Sequence, residues 1–489
     1  RDNPRAVAER LRAELEGDSA LAPTLERVEV AGPGFVNLFL ADAWYLRALS
    51  ALLAAGEDLG PAPTESPEKV LVEFVSANPT GPLHVGGGRN AAYGDATSRL
   101  LEAAGHEVQR EYYVNDAGAQ IGLFADSIAA RMRGEEPPED GYAGEYVAEL
   151  AERIAAEGID ASDREALGGR GVELMLEEVG GSLERFGVRF DNWFSERSLY
   201  DKGEVEEALA DLDRRGHTYR SEGALWLRTT GFGDDKDRVL IRANEEPTYL
   251  AADVAYHWDK LGRGFERLIN VLGADHHGYV ARVRAAIEAL GGDPAAFEAL
   301  IMSLVHVVEE GERVQMSKRT GDFITLDELL GDIGVDAARW FMLWRSHETT
   351  IDLDLGLARS QSSENPVYYV QYAHARIASI LRKAGDAAPE GFDEAAGRPP
   401  LEEGEKALVK RLLEFPEEVR TAAERRAPHR ICAYSTAVAA DFHAFYRDCQ
   451  VVGAEGEGVE GSRLALCLAT KRTIAAALGL LGISAPERM

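Results

Sequence analysis

Apolar positions recur along this chain with two different periods, and the switches between them divide it into elements. Residues 70–75 form a short run rich in β-branched and aromatic side chains, which predicts a buried strand. The turn at 78–82, Asn-Pro-Thr-Gly-Pro, ends it, because two prolines and a glycine continue neither helix nor strand. Val85, Ala92, Ala96, Leu100 and Leu101 then repeat at helical spacing as far as Gly105, and residues 108–114 return to strand. Strand, glycine-rich turn, helix and strand predict a βαβ unit. Its turn falls at the carboxyl end of the first strand, where open α/β sheets bind nucleotides.

The same reading extends along the chain. A helix is expected over 5–16 and two strands within 28–40, joined at 31–34, with a helical linker over 43–60. Residues 118–190 read as helical and acidic around a solvated loop at 134–141, and 190–193, 218–220 and 224–227 alternate as strands. The nucleotide-binding pattern resumes at 247–253, followed by a helix to Leu261, then a buried strand at 268–272 and a helix from Tyr279. A hairpin is expected around Glu310 and Gly311, with helices over 325–332 and 336–346. Beyond about 359 the pattern is helical throughout, in segments 366–383, 405–426, 428–449 and 462–481.

Composition narrows the picture. With 489 residues the chain is long enough for two to four domains. No apolar run approaches the length of a membrane span, and no signal peptide is visible. The chain opens at Arg1 inside a helical pattern, and the expectation is a further segment before it. Cys432, Cys449 and Cys467 stand 17 and 18 residues apart, all in apolar helical patterns, which favours packing over metal binding and fits a reducing, cytoplasmic setting. A net charge of −31 weighs against a nucleic-acid partner at face value. It is unevenly placed: residues 401–489 hold 12 Lys and Arg against 13 Asp and Glu, so almost all of the excess lies earlier. An RNA partner would then meet local basic patches on an acidic body.

The chemistry concentrates in two motifs. His84 precedes Gly86, Gly87 and Gly88, which lets the backbone approach a ligand closely, with helix N–H groups aimed at phosphate. The alternative is a tight turn and nothing more. The stretch Ser76-Ala-Asn-Pro-Thr-Gly-Pro-Leu-His-Val-Gly86 resembles the first signature of class I aminoacyl-tRNA synthetases, in the longer form of the arginyl-tRNA synthetases. Gln315-Met-Ser-Lys-Arg319 resembles the mobile lysine loop of the same class. Two ordered motifs with matching flanks carry more weight than either alone.

The resemblance implies an α/β architecture in three parts. A partial amino-terminal α/β additional domain and linker would span 1–60, and a Rossmann-type catalytic domain 61–358 with an insertion at about 118–246. A C-terminal all-α helix-bundle anticodon-binding domain would span 359–489. It also implies a reaction: arginine and ATP, with Mg²⁺ as part of the substrate complex, give arginyl-adenylate, and the arginyl group passes to the 2′-hydroxyl of the terminal adenosine of tRNA(Arg). A monomeric cytoplasmic enzyme, with no tightly bound metal and with activation that depends on bound tRNA, is the family expectation.

Family positions carry over residue by residue. Glu73, Ser76, Asn78, Tyr249, Asp253 and His276 would bind arginine, whose planar guanidinium carboxylates match in bidentate fashion. Which carboxylate meets the guanidinium and which the α-amino group stays open. His84, Gly86, Gly87, Gly88, Met316, Ser317 and Lys318 would bind ATP, with His84 and Lys318 stabilising charge on the α-phosphate. Phe35 and Asn37 would meet an unpaired base of the tRNA elbow, and Tyr369, Tyr372 and Met489 the anticodon. Phe35, Tyr369 and Tyr372 have core packing as their alternative. Two positions depart from the pattern: Gly87 stands where a second histidine is usual, and Gln315 where a lysine is usual.

Two other readings compete. Asp275-His276-His277 resembles a metal-binding triplet of a phosphoesterase family, though the further strand-end aspartates such sites need are not evident. The departures at Gly87 and Gln315 suggest a non-catalytic, RNA-binding relative. Cysteinyl-tRNA synthetase, a close relative, would require zinc-ligating cysteines in the catalytic half, and there are none.

Overall fold

The computed structural model describes residues 3–274, 278–314, 324–385, 392 and 398–489. Its contacts divide the chain into two compact units, one of Arg1–Ala62, Gln361–Ala422 and Arg430–Met489, the other of Pro63–Ser360 and Ala423–His429.

The first unit opens with helix α1 (Pro4–Gly17), capped by Asn3 with a proline in its first turn. Strands β1 (Leu25–Ala31) and β2 (Phe35–Leu40) form an antiparallel hairpin. Helix α2 (Asp42–Ala54) ends six residues short of the expected linker helix.

The second unit is built on a five-stranded, fully parallel sheet. Strand β3 (Lys69–Glu73), helix α3 (Val85–Ala103) and strand β4 (Glu107–Val114) form the anticipated βαβ unit. Three helices follow: α4 (Ala119–Met132), α5 (Glu145–Ala156) and α6 (Arg164–Arg185), packed around Phe124, Ile128, Leu150, Ile154, Leu167 and Met175. The chain then returns to the sheet as β5 (Asn192–Ser195), parallel to β4. Two expectations change here. The strand lies two residues later than 190–193, because the Phe190 ring packs on Phe74, with centroids 4.4 Å apart. And the segment 118–246, read as one insertion, contributes a strand to the central sheet.

Helices α7 (Glu196–Asp201) and α8 (Glu204–Arg214) lead to a small antiparallel sheet of β6 (Thr218–Ser221), β7 (Ala224–Leu227) and β8 (Arg238–Ile241). Helix α9 (Tyr249–Gly262), strand β9 (Arg267–Gly273), helix α10 (Tyr279–Ala289) and strand β10 (Phe297–Met302) complete the nucleotide-binding fold, with strand order β10-β9-β3-β4-β5. Strand order therefore reverses between β3 and β9, and the crevice outside their carboxyl ends is where such sheets take ligands. Strands β11 (Val305–Glu309) and β12 (Glu312–Arg313) make the expected hairpin. Helix α11 (Leu326–Leu343) is the two predicted helices meeting at a kink, with Gly334 non-helical between them at a φ of +77° that only glycine adopts easily. Strand β13 (Ile351–Asp354) pairs with β11, and α12 (Leu355–Arg359) closes the unit.

The first unit resumes with α13 (Pro366–Ala384), α14 (Glu403–Leu413), α15 (Phe415–Glu424), α16 (His429–Asp448) and α17 (Val459–Leu480). The expected helix 405–426 is two helices, with Pro416 in the first turn of the second. Helix α2 joins this bundle: Asp42 accepts from the Leu401 N–H at 2.7 Å and pairs with Lys406 at 2.9 Å, and Arg472 donates to the Leu53 carbonyl. All three cysteines are buried and free. Among the described residues, no helix is long and apolar enough to cross a membrane.

Candidate active site

The site is assembled where β3 gives way to α3. The turn between them is strained: Val75 and Ser76 adopt φ of +66° and +41°, a region that costs a β-branched residue of the order of 1–3 kcal/mol. Asn90 of α3 holds the strain in place. Its Oδ1 accepts from the Val75 N–H at 2.7 Å while its Nδ2 donates to the Val271 carbonyl of β9 at 2.9 Å. Tyr112 donates to the Ala77 carbonyl and Tyr146 to the Thr80 carbonyl, so the signature turn is pinned from β4 and α5. Gly94 lets α3 press against the strand end, since a Cβ there would stand 2.2 Å from the Phe74 ring.

His84 is the N-cap of α3. Its Nδ1 accepts from the N–H groups of Gly86 and Gly87 at 3.0 and 3.4 Å, so those donors, expected to face phosphate, meet the imidazole here. A Cβ at Gly86 would lie 2.8 Å from that ring, which accounts for the glycine. At Gly87 it would touch only Leu83 Cδ2 at 3.4 Å, so the missing second histidine is not a steric necessity. His84 and Gly86 are exposed, while Gly88 is buried against Leu326 and Met342 of α11.

The chain beyond the second motif returns to the same place. Met316, Ser317 and Lys318, with Gln315, lie outside the described residues, but the chain that follows them does not. The Val85 N–H donates to the Ile324 carbonyl at 3.2 Å, and the Leu326 N–H donates to the Leu83 carbonyl at 2.7 Å. Residues 83–85 of the first motif and 324–326 therefore share a backbone seam.

Behind the seam the carboxyl ends of the parallel strands present acids and tyrosines. Asp253, half-buried on α9, accepts from the Tyr279 hydroxyl at 3.1 Å. Burial pushes its carboxyl up to about 7, with Glu73 and Glu196 adding repulsion. Glu196, the first residue of α7, is buried, and burial raises its carboxyl as well. His257, one turn after Asp253, is held neutral, its imidazole pushed down to about 3 by burial, and offers no countercharge. Glu73 is also buried, but its Oε2 is 2.6 Å from Lys260 Nζ and 2.9 Å from Asn270 Nδ2, while Oε1 accepts from Ser76 Oγ at 3.2 Å. The Tyr113 N–H donates in turn to Ser76 Oγ, which ties the Glu73 and Tyr113 corners together.

Two more of the expected arginine-binding residues are placed differently. Asn78 is exposed on the turn, bonded to Gln120 and Asn115. Tyr249 stands 67% exposed in the first turn of α9, outside the buried cluster. His276 lies outside the described residues, as do its neighbours Asp275 and His277. Glu196, Tyr113, Tyr279 and Lys260 were not among the expected residues. The first two have a signal after all: each ends or follows a strand of the parallel sheet, where ligand groups collect. Among the described residues, no group of three or more His, Cys, Asp and Glu is arranged to hold a metal ion.

The expected RNA-facing residues fall in the first unit. Phe35 and Asn37 alternate onto one face of β2 and both are exposed, Phe35 by 67%, which removes its core alternative. Tyr369 and Tyr372 line a groove of about 710 Å³ with Tyr368, Arg376, His443 and Tyr446. Its rings are stacked: Tyr368 on Tyr372 at 6.2 Å and 8°, with Arg376 over Tyr446 at 4.7 Å. The carboxyl-terminal tail runs along the same helix, with Gln371 donating to the Ser484 carbonyl and His374 Nδ1 2.8 Å from the Pro486 carbonyl, and Met489 is exposed beyond it.

Comparison with known proteins agrees along the whole chain. Residues 48–139 and 176–350 match the family described as tRNA synthetases class I (R), catalytic domain; residues 1–40 match the arginyl tRNA synthetase N terminal domain, and residues 370–489 the DALR anticodon binding domain. An arginine–tRNA ligase of Carboxydothermus hydrogenoformans is 45% identical over all of this chain and 89% of its own length. One of Geobacillus kaustophilus is 46% identical over 99% of this chain and 89% of its own. The solved arginyl-tRNA synthetase of Thermus thermophilus superposes with a TM-score of 0.77 at 28% identity, covering all of this chain and 92% of that one.

Proposed function

Because the chain belongs to the arginyl-tRNA synthetases, we propose that the residues at the carboxyl ends of the parallel strands, with His84, Asp253 and Glu196 among them, bind arginine beside ATP and join them. The overall activity is that of an arginine–tRNA ligase, which aminoacylates tRNA(Arg) and converts ATP to AMP and pyrophosphate. In the first step the arginine carboxylate attacks the α-phosphorus of ATP, bound as its magnesium complex, and pyrophosphate leaves. In the second the 2′-hydroxyl of the terminal adenosine attacks the carbonyl carbon of arginyl-adenylate, and AMP leaves.

The observation that carries this reading is the pair of carboxylates held with raised pKa by burial, Asp253 bonded to the Tyr279 hydroxyl and Glu196 at the start of the helix after β5. A guanidinium delivers fixed positive charge and planar donors to such a pair and replaces the water both acids have lost. Glu73, Ser76 and Asn78 are assigned to the amino-acid backbone groups, with Tyr249 at the rim, and His276 is assigned to arginine binding by family position. No covalent enzyme intermediate is required; alignment and charge stabilisation suffice. His84 is assigned to the α-phosphate from the α3 cap, Gly86, Gly87 and Gly88 to the nucleotide's approach, and Met316, Ser317 and Lys318 to ATP binding by family position. Lys318 supplies the positive charge as pyrophosphate departs.

Recognition of the tRNA is assigned to the first unit, through Phe35 and Asn37 at the elbow and Tyr369, Tyr372 and Met489 at the anticodon. Stacked, half-exposed rings with an arginine alongside suit splayed bases. Family membership also suggests a monomer working in the cytoplasm, with activation that waits for bound tRNA.

Charging assays with labelled amino acids test the pocket. Citrulline keeps the shape of arginine and lacks its charge, so discrimination against it should reach several orders of magnitude. Comparable charging of both would overturn the acidic-pocket assignment.

A further inference from the structure

Beneath the proposed arginine site lies a buried cation that neither signature contains. Lys260 stands on α9 two turns beyond Asp253, and its side chain is fully buried. Its Nζ donates to Glu73 Oε2 at 2.6 Å and to Asn270 Oδ1 at 3.4 Å, and sits 4.0 Å over the Tyr256 ring. Asn270 of β9 donates to the same Glu73 oxygen, and Ser76 Oγ donates to the other. The carboxylate of Glu73 is thus gripped from α9, from β9 and from the strained turn that follows its own strand.

This arrangement sets both charge and geometry. Arginine carries a guanidinium, an ammonium and a carboxylate, one net positive charge. Three uncompensated carboxylates at Glu73, Asp253 and Glu196 would repel one another beyond what that ligand offsets. Lys260 compensates one of them from the side away from solvent, leaving Asp253 and Glu196 to meet the substrate. It also fixes Glu73 against Ser76, whose Oγ in turn accepts from the Tyr113 N–H beside Glu196.

We propose that Lys260 is a positioning residue for arginine binding: its ion pair with Glu73 holds that carboxylate and the Ser76 turn in the geometry the substrate requires. The inference rests on the assignment of Glu73 to the arginine site. Loss of Lys260 leaves a buried carboxylate without its partner, which must then recruit a proton, water or a new rotamer, each of which displaces the acceptor.

The test is a double-mutant cycle in the full chain with Lys260→Met, Glu73→Gln and both together, reading KM for arginine, KM for ATP and kcat in tRNA charging. Lys260→Met should raise the arginine KM by roughly tenfold or more with the ATP KM changed less than about twofold. Glu73→Gln should do the same, and the double variant should be no worse than the poorer single one. Should Lys260→Met not fold, Lys260→Gln keeps a donor without the charge, and the double variant removes both charges; the same arginine-specific KM rise is expected of Lys260→Gln. A lowered melting temperature or active fraction with an unchanged arginine KM would make Lys260 a scaffold residue only and overturn the inference. Additive effects in the cycle would overturn it too. A raised KM in Glu73→Gln with none in either Lys260 variant would sink the role of Lys260 alone, whereas an unchanged KM in Glu73→Gln would remove Glu73 from the arginine site and the inference with it.

Discussion

The backbones of His84 and Thr325 lie side by side in an antiparallel bridge. The bridge is flanked by the Val85 N–H to Ile324 carbonyl and Leu326 N–H to Leu83 carbonyl hydrogen bonds. Thr325 is also the N-cap of α11, closed by a capping box with Glu328, so the start of that helix is fixed beside His84.

Lys318, seven residues before Thr325, is assigned to transition-state charge and not to holding arginine. Lys318→Ala should lower the rate of adenylate formation by about 10²–10³-fold, with the arginine KM altered only a few-fold. Pre-steady-state measurement of adenylate formation separates the two. Unchanged turnover would remove Lys318 from the mechanism.

Asp253→Asn exchanges one acceptor oxygen for a donor against the guanidinium. The arginine KM should rise by about 30-fold or more, on the scale of truncating one partner of a buried charge pair. Affinity for tRNA(Arg), measured by filter binding, should stay within about threefold. Equal loss of both would mean that the substitution disturbs the fold and not the pocket.

The raised carboxyl of Asp253 predicts a pH dependence with a definite sign. Below about pH 7 the free enzyme holds a proton there, so the guanidinium meets a neutral acid; above it the carboxylate is charged. The kcat/KM for arginine should therefore climb as pH rises through about 7 and then level, with Glu196, raised by the same burial, adding to the acidic limb. The stability of the ligand-free enzyme moves the other way. A carboxyl raised by folding contributes stability at low pH that is lost as pH rises through its folded value. Thermal unfolding should then show Asp253→Asn to be more stable than the parent at pH 8, and the advantage should shrink on going to pH 5. A flat kcat/KM profile from pH 6 to 8 would contradict both halves.

In the helical unit, Tyr372→Ala removes an exposed ring stacked beside Tyr368 and His443. If that ring carries an anticodon base, tRNA affinity should fall by about 5–100-fold, the scale of one base–aromatic stack, with no change in the KM for ATP or arginine. Equilibrium binding of tRNA(Arg) against a transcript altered in the anticodon checks it, since the variant should discriminate the two less well.

The sequence was legible where one pattern governs one element. The βαβ unit at residues 70–114 follows from a strand run, a proline-glycine turn and a helical repeat, and β3, α3 and β4 fall within one or two residues of it. Strand β5 was misplaced because Phe190 is as apolar as a strand residue but spends its ring on Phe74 and Tyr112 before the strand begins. The motif residues His84, Ser76 and Glu73 could be named in advance, but their partners could not. Lys260 looks like any basic residue near a helix end, and only the folded chain brings it to Glu73. Glu196 sits at the start of a short helix after an edge strand, and nothing local marks it as buried. Its importance comes from β5 joining the central sheet, which a reading of that stretch as part of an insertion conceals.

Arginine-dependent exchange of pyrophosphate into ATP tests the central claim most directly, run with and without tRNA(Arg). The account predicts exchange that requires arginine, appears only when tRNA(Arg) is present, and is abolished by Lys318→Ala. Silence in both reactions, in a preparation that binds tRNA(Arg), would contradict it and leave a protein that recognises tRNA without activating an amino acid.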